Sequence, residues 1–263
     1  MRLGLGIGLT VSRAPSALDP DAAAYIAAVE TADGQALESG VRKAINNFVV
    51  GCKGDGIWDA IKASCILAGA RTLDGALVPL VGTAPTNNNF VPGDYNRETG
   101  LLGDGSTKYL DSNRNNNADP QDSNHNAAFV SEKGNTDAAI MGSPFVASGI
   151  NNIVHGASGQ FFTRNRTITG TIVFSTFQNG FVGISRNVST SYNARNGGSN
   201  ATVNEVSITP TNSNIFVYRR SITPSILPSN ARISFYSIGE SLDLAALDTR
   251  VSNLMTEIAT AIP

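Results

Sequence analysis

Oxygen-bearing side chains crowd one short stretch of the chain. Asp111, Asn113, Asn115, Asn117, Asp119 and Asp122 stand at positions 1, 3, 5, 7, 9 and 12 of a twelve-residue run, the spacing at which a calcium loop wraps hard oxygen ligands around the ion. Coordination of Ca²⁺ by Asp111, Asn113, Asn115, Asp119 and Asp122 is the metal chemistry the sequence offers. Against it, Asn116 stands where the turn glycine belongs, Asp122 replaces a bidentate glutamate, and no helical pattern precedes the run. Asn and Asp are also the default residues of tight turns, so an asparagine-rich surface loop without a cofactor is the expectation.

Nucleophilic catalysis needs a base, and the chain has two histidines, His125 and His155. The string His155-Gly156-Ala157-Ser158-Gly159 departs from the Gly-x-Ser-x-Gly elbow of a hydrolase, and both histidines read as ordinary loop residues. Glycoside hydrolysis needs paired carboxylates. After Asp122 the acids are sparse, chiefly Glu132, Asp137, Glu205, Glu240 and Asp243, with no same-face pair among them. The chain is therefore expected not to be an enzyme. Arg186, Tyr192 and Arg195 flank a turn and suggest a planar, amphipathic surface for a sugar or a neighbouring subunit. Hydrogen bonding within the fold is an equal alternative for these three.

Of the 263 residues 41% are hydrophobic and only 15% are charged, where an ordinary soluble domain carries roughly 25% charged residues. Asn, Ser, Thr and Gly take their place, a texture of turns and hydrogen-bonded surfaces found in extracellular β proteins and virus coats. A net charge of −2 leaves no basic surplus for a phosphate backbone, which excludes nucleic acid as the expected partner. Cys52 and Cys65 belong to no C-x-x-C pair and read as core thiols, with a disulfide as the alternative.

The elements that must position these groups follow from periodicity. Leu3, Leu5, Ile7, Leu9 and Val11 alternate with Gly4, Gly6, Gly8 and Thr10. The run is too short and too interrupted for membrane insertion, and reads as a β-strand with one apolar face that docks on a strand of a neighbouring subunit, with this chain's own sheet as the alternative. Asp19-Pro20-Asp21 is a helix start. Helical spacing recurs through Ile26 and Val29, through Leu37, Val41, Ile45 and Phe48, and through Ile57, Ile61, Cys65 and Ala68, with Trp58 beside this third stripe. Beyond Pro85-Thr86-Asn87-Asn88-Asn89 the helical period gives way to short strand-like runs at 108–110, 127–131, 138–141, 160–163, 167–174, 181–185, 202–208, 215–218 and 233–238. A last helix carries Leu244, Leu247, Val251, Leu254 and Ile258 on one stripe, with Ser241 as its expected N-cap. The expected fold is mainly β: an antiparallel jelly-roll β-sandwich with a short α-helical N-terminal region and a C-terminal helix. Its parts are an N-terminal arm over 1–18, a helical attachment region over 19–80 and a sandwich over 95–263.

Several strings bear a family resemblance. Phe181-Val182-Gly183-Ile184-Ser185-Arg186, then Ser191-Tyr192 and Arg195, Ile215-Phe216-Val217-Tyr218, Ile233-Ser234-Phe235-Tyr236-Ser237-Ile238-Gly239 before a terminal helix, and the segment from Gly100 to Tyr109 resemble bacteriophage virion proteins of the laminin-G/concanavalin-like jelly-roll class. The resemblance covers roughly residues 95–263, with a helical leader over 22–80. It implies a structural component of a phage particle, a tail-fibre, spike or baseplate appendage for assembly and host-surface contact. The implied partners are other virion proteins, further copies of the chain, with a trimer favoured, and a host surface glycan. A capsid decoration protein is the first alternative, and a carbohydrate-binding module or glycosidase the second. The motifs are structural and carry no catalytic residue across.

Overall fold

The computed structural model describes residues 17–144, 148–220 and 226–263. Leu3, Leu5, Ile7, Leu9 and Val11, the expected docking strand, lie outside the described residues. Helix α1 (Pro20–Asp33) starts as its residues dictate, with Pro20 at N1 and the Asp19 side chain accepting from the Asp21 N–H. Gly34 ends it at φ 69°, a left-handed conformation that glycine adopts without cost. Helix α2 (Ser39–Gly54) buries Val41, Ala44, Ile45, Phe48, Val49 and Cys52 along one stripe.

The third expected helix is instead a 3₁₀ turn, Trp58–Ala60, and strand β1 (Ile61–Ile66). Residues Ala63 to Ala68 are all buried: Ala63, Cys65 and Leu67 face one apolar layer, while Ile66 and Ala68 face another. A run that is apolar on both sides fits the period of 2 as well as that of 3.6, so periodicity alone cannot choose. Trp58 is half-buried beside the helical layer, with the Lys53 ammonium 5.8 Å from its ring centroid.

A one-turn helix α3 (Leu73–Ala76) follows. Then come β2 (Thr86–Asn88), β3 (Tyr95–Asn96), β4 (Gly100–Leu102), β5 (Tyr109–Asn115), β6 (Asn124–Glu132), β7 (Ala138–Gly142) and β8 (Ile150–His155). The chain continues through β9 (Phe161–Thr167), β10 (Thr171–Phe174), β11 (Gly180–Arg186), β12 (Tyr192–Asn196), β13 (Ser199–Val203), β14 (Asn214–Val217) and β15 (Arg232–Gly239) to helix α4 (Leu244–Ala261). The cap of α4 is Asp243 rather than Ser241: its carboxylate accepts from the N–H groups of Ala245 (2.7 Å) and Ala246 (3.3 Å).

Among the described residues the strands form two antiparallel sheets, as the sequence led us to expect of a β-sandwich. Sheet A runs β13-β12-β11-β6-β15-β4-β3, with β1 sharing the far side of β15, and sheet B runs β10-β9-β8-β7-β14-β5-β2. Side chains such as Leu110, Ala128, Val130, Ile153, Ile184 and Tyr236 fill the space between the sheets. The other face of sheet A is apolar too. Ala127, Phe181 and Phe235 meet α1, α2 and α4 there, with the Phe48 and Phe235 rings 5.6 Å apart, edge to face.

Strand pairing crosses the expected division between a helical region over 19–80 and a sandwich over 95–263. Strand β1 pairs with β15 from Ile61 to Ile66, β2 pairs with β5, and both precede residue 95. The histidines are strand residues rather than loop residues. His125 is fully buried in β6, its Nδ1 2.6 Å from the Glu240 carbonyl and its Nε2 2.7 Å from Ser237 Oγ. Nδ1 must therefore carry the proton, leaving Nε2 to accept from the serine. Burial pushes this imidazole down to about 4. No helix among the described residues is long and apolar enough to cross a membrane.

Two outcomes are expected. A fragment of residues 95–263 exposes the helix-facing side of sheet A and unpairs the Phe235–Gly239 edge, so it should be insoluble or melt without a cooperative transition; a sharp unfolding transition in this fragment would contradict that. For His125, the unfolded chain takes up a proton near pH 6.5 while the folded chain refuses it down to about pH 4. Its contribution to stability is complete above 6.5 and declines as pH falls from there toward about 4. Urea midpoints at pH 7 and pH 5 should therefore drop more for the wild-type chain than for His125→Gln.

Candidate functional site

The helical layer does not cover all of sheet A. Beneath α4, the β11 side chains Phe181 and Ser185 point toward the helix, and Gly183 between them presents bare backbone. A Cβ on Gly183 would lie 2.9 Å from a Leu244 methyl, so this glycine sets how closely α4 approaches the strand. Past α4, toward the free edge β13, the same face of the sheet turns from apolar to amide and hydroxyl. There the exposed side chains are Asn193 on β12 and Asn200 and Thr202 on β13. Between this polar end of the sheet and the first turn of α4 lies an open cleft of about 700 Å³. Ser185, Asn187, Asn193, Asn200, Thr202 and Asp243 supply its polar wall, and Leu242 and Leu244 its apolar one.

The register that aims these groups comes from the β12–β13 hairpin. Its two-residue turn, Gly197-Gly198, has φ 54° and 87°, the positive values that a tight hairpin turn requires at both central positions. The turn pairs Asn193 with Thr202 and Arg195 with Asn200. Thr202 Oγ1 then donates to Asn193 Oδ1 (3.1 Å), and the Arg195 guanidinium donates to Asn200 Oδ1 (2.7 Å). Both side-chain amides keep their N–H groups without a partner among the described residues. Asn187 is exposed and makes no side-chain hydrogen bond there, and the second oxygen of Asp243 is likewise unpartnered. At the base of the cleft, Ser185 Oγ donates to the Leu242 carbonyl (2.9 Å) and accepts from the Leu242 N–H (3.1 Å), which fixes the approach to α4.

The sequence singled out neighbours of these groups rather than the groups themselves. Arg186 and Tyr192 are not a surface: they are 0% and 2% exposed. Arg186 donates to five backbone carbonyls, those of Asn165, Val188, Ser189, Ser191 and Glu205, at 2.8 to 3.2 Å, and so staples the 187–191 loop to β9. The Tyr192 hydroxyl is 2.9 Å from Thr163 Oγ1, between the sheets. Arg195 borders the cleft, but its charge is held by Asp248 at 2.6 Å. The planar recognition surface is thus corrected to a buried staple, a core tyrosine and an ion-paired arginine. The exposed asparagines beside them gave no motif, because an isolated Asn is also among the default turn residues.

The calcium constellation is not assembled. Asp111, Asn113 and Asn115 belong to β5, an extended strand paired with β14 and β2, so the chain does not curl around a point. Each side chain is engaged elsewhere. Asp111 accepts from Asn214; the Asn113 amide donates to the Ala84 carbonyl and to Thr86, whose hydroxyl lies 3.4 Å from Asn113 Oδ1; the Asn115 amide donates to Asn212 while its Oδ1 accepts from the Asn117 N–H; Asp119 pairs with Arg114, and Asp122 accepts from Ser207. Among the described residues no group of three or more His, Cys, Asp or Glu side chains is placed to hold a metal ion. Cys52 and Cys65 are buried free thiols, each pushed up to about 12 by burial.

No protein-family model matches the chain, and no curated protein matches it in sequence. Solved structures match its fold. The binding domain of botulinum neurotoxin serotype D superposes with a TM-score of 0.51 at 12% identity, over 74% of this chain and 50% of that one. For the receptor binding domain of botulinum neurotoxin D the values are 0.50, 11%, 74% and 52%. Trypanosoma rangeli sialidase gives 0.51 at 10% identity, over 77% of this chain and 34% of that one. The chain therefore spans about half the length of the toxin domains and about a third of the sialidase. At such identities the likeness is one of fold, and that fold is the jelly-roll β-sandwich.

Proposed function

We propose that this chain is a non-catalytic recognition module that holds a hydroxyl-rich saccharide in the cleft between α4 and the β11–β13 end of sheet A. The observation that carries this reading is the cleft wall. Asn193 and Asn200 each turn an amide N–H group outward, while Asn187 and Asp243 offer acceptors. A sugar hydroxyl both donates and accepts, so a lining that mixes the two suits a diol better than it suits an apolar or a purely anionic ligand. The neurotoxin domains that share the fold are binding domains, one of them a receptor binding domain. A cleft open at a sheet end suits the same kind of task.

Absence of catalysis is supported by the cleft having one carboxylate, Asp243, among its lining residues. Glycoside hydrolysis uses two, about 5 to 9.5 Å apart. Display of the module on a phage particle, as a tail-fibre, spike or baseplate appendage with other virion proteins and further copies of itself as partners, rests on the sequence resemblance. In that class, the resemblance implies, a strand ending in Phe-Tyr-x-Ile-Gly precedes a closing helix, and here β15 precedes α4. Capsid decoration is the rival placement, and copy number per purified particle separates the two.

The binding test is a printed glycan array probed with the full chain and with Asn193→Ala/Asn200→Ala. Loss of two hydrogen bonds at about 1 kcal/mol each should weaken the strongest saccharide signal by at least about tenfold, with the melting temperature unchanged. No reducing sugar should be released from the bound glycan. Failure to retain any saccharide, or equal retention by the variant, would overturn the reading.

A further inference from the structure

Resting on that reading, we infer that the cleft selects a neutral saccharide and rejects acidic ones, and that Asp243 is the residue that decides. The charge inventory of the cleft is one-sided. No Lys or Arg lines it, and Asp243 is its single ionisable side chain. The nearest guanidinium that touches a lining residue is that of Arg195, which bonds to Asn200, and its charge is opposed by Asp248 at 2.6 Å. Its effect is to hold the Asn200 oxygen inward and leave the amide N–H group facing out, which makes Asn200 a neutral donor rather than a site of positive potential.

The start of α4 is largely answered from within the chain. Of its first three N–H groups, those of Ala245 and Ala246 are already taken by one oxygen of Asp243. A carboxylate there answers the positive end of the helix dipole from within the chain. The other oxygen remains a charged acceptor on the cleft wall. A hydroxyl can donate to it, whereas a uronate, sialate, phosphate or sulfate group brought to the same wall would meet a like charge, with no cation lining the cleft to offset it.

A preference for neutral ligands separates this cleft from carboxylate-binding pockets, which place arginine where the acid sits. It also assigns Asp243 two tasks that substitution can divide. Asparagine caps a helix about as well as aspartate, so Asp243→Asn keeps α4 in place and removes only the charge.

The experiment is an array of neutral oligosaccharides printed beside their uronate and sialylated counterparts, read with the wild-type chain, Asp243→Asn and Asn193→Ala/Asn200→Ala. The wild type is expected to retain the neutral member of a pair over its acidic counterpart. Asp243→Asn should shift the neutral-to-acidic ratio by about tenfold toward the acidic member, at an unchanged melting temperature. A wild-type preference for acidic members, or a ratio that Asp243→Asn leaves where it was, overturns this inference while the saccharide reading stands. Retention of neither member by the wild type overturns the saccharide reading itself.

Discussion

The central strands of sheet A, β6, β11, β15 and β1, are buried on both faces, and the rest of the architecture follows from that constraint. A strand at the middle of such a sheet must present apolar or satisfied side chains at every position, because neither parity of the pleat reaches water there. Strand β15 shows the consequence. Ile233, Tyr236 and Ile238 lie in the layer between the sheets, while Phe235 lies against the helices, although Ile233 and Phe235 share a parity in the sequence. The pairing with β6 slips between Ile233 and Phe235, and that bulge moves the two residues to opposite faces. Without it, either Phe235 would leave the helical layer or Ile233 would leave the sandwich. The same constraint makes β1 part of the core rather than a connector, since it covers the side of β15 that β4 leaves open.

How much was legible in the sequence depends on how many faces each element buries. Helices α2 and α4 bury one stripe, and their residues read directly as 3.6-residue periods. The Asp19-Pro20 start was equally plain, because its chemistry is local. Strand β1 was not, for its neighbours on both sides are apolar and only tertiary pairing distinguishes it from a helix. The cap of α4 fell two residues from where the sequence put it, since Ser241 and Asp243 are both good caps and the choice depends on where Leu242 is tied to Ser185.

The candidate site was less legible than the fold, for a physical reason. Arg186, Tyr192 and Arg195 drew notice as large, hydrogen-bonding side chains near a turn, which are properties of a buried staple as much as of an interface. What separates the two is whether backbone carbonyls already surround the guanidinium. Five of them surround Arg186, and no local pattern reports that, because they come from β9, from the 187–191 loop and from Glu205. The cleft residues depend on register in the same way. Asn193, Asn200 and Thr202 face out only because Gly197-Gly198 sets the hairpin pairing, and a slip of one residue would turn all three toward the sandwich interior.

That interior explains why the staple is worth its cost. At the end of the sandwich nearest the cleft, the space between the sheets is polar: Asn124, Asn151 and Asn165 bond to one another, and Arg166 and Arg186 are buried beside Asp119 and Asp122. Both amide atoms of Asn126, one of Asn165 and the Arg166 Nε have no hydrogen-bond partner among the described residues. Each such group costs about 1 to 3 kcal/mol relative to its hydrated state. The polar end is therefore not where the fold gains its stability; that comes from the apolar layers on the two sides of sheet A. Its return is positional. A loop held through its own carbonyls by Arg186 has far fewer conformations open to it than one held by side-chain packing, and the 187–191 loop carries Asn187 to the mouth of the cleft. A binding wall made of short amides needs that fixity, since an amide that must be ordered by its ligand subtracts the ordering entropy from affinity.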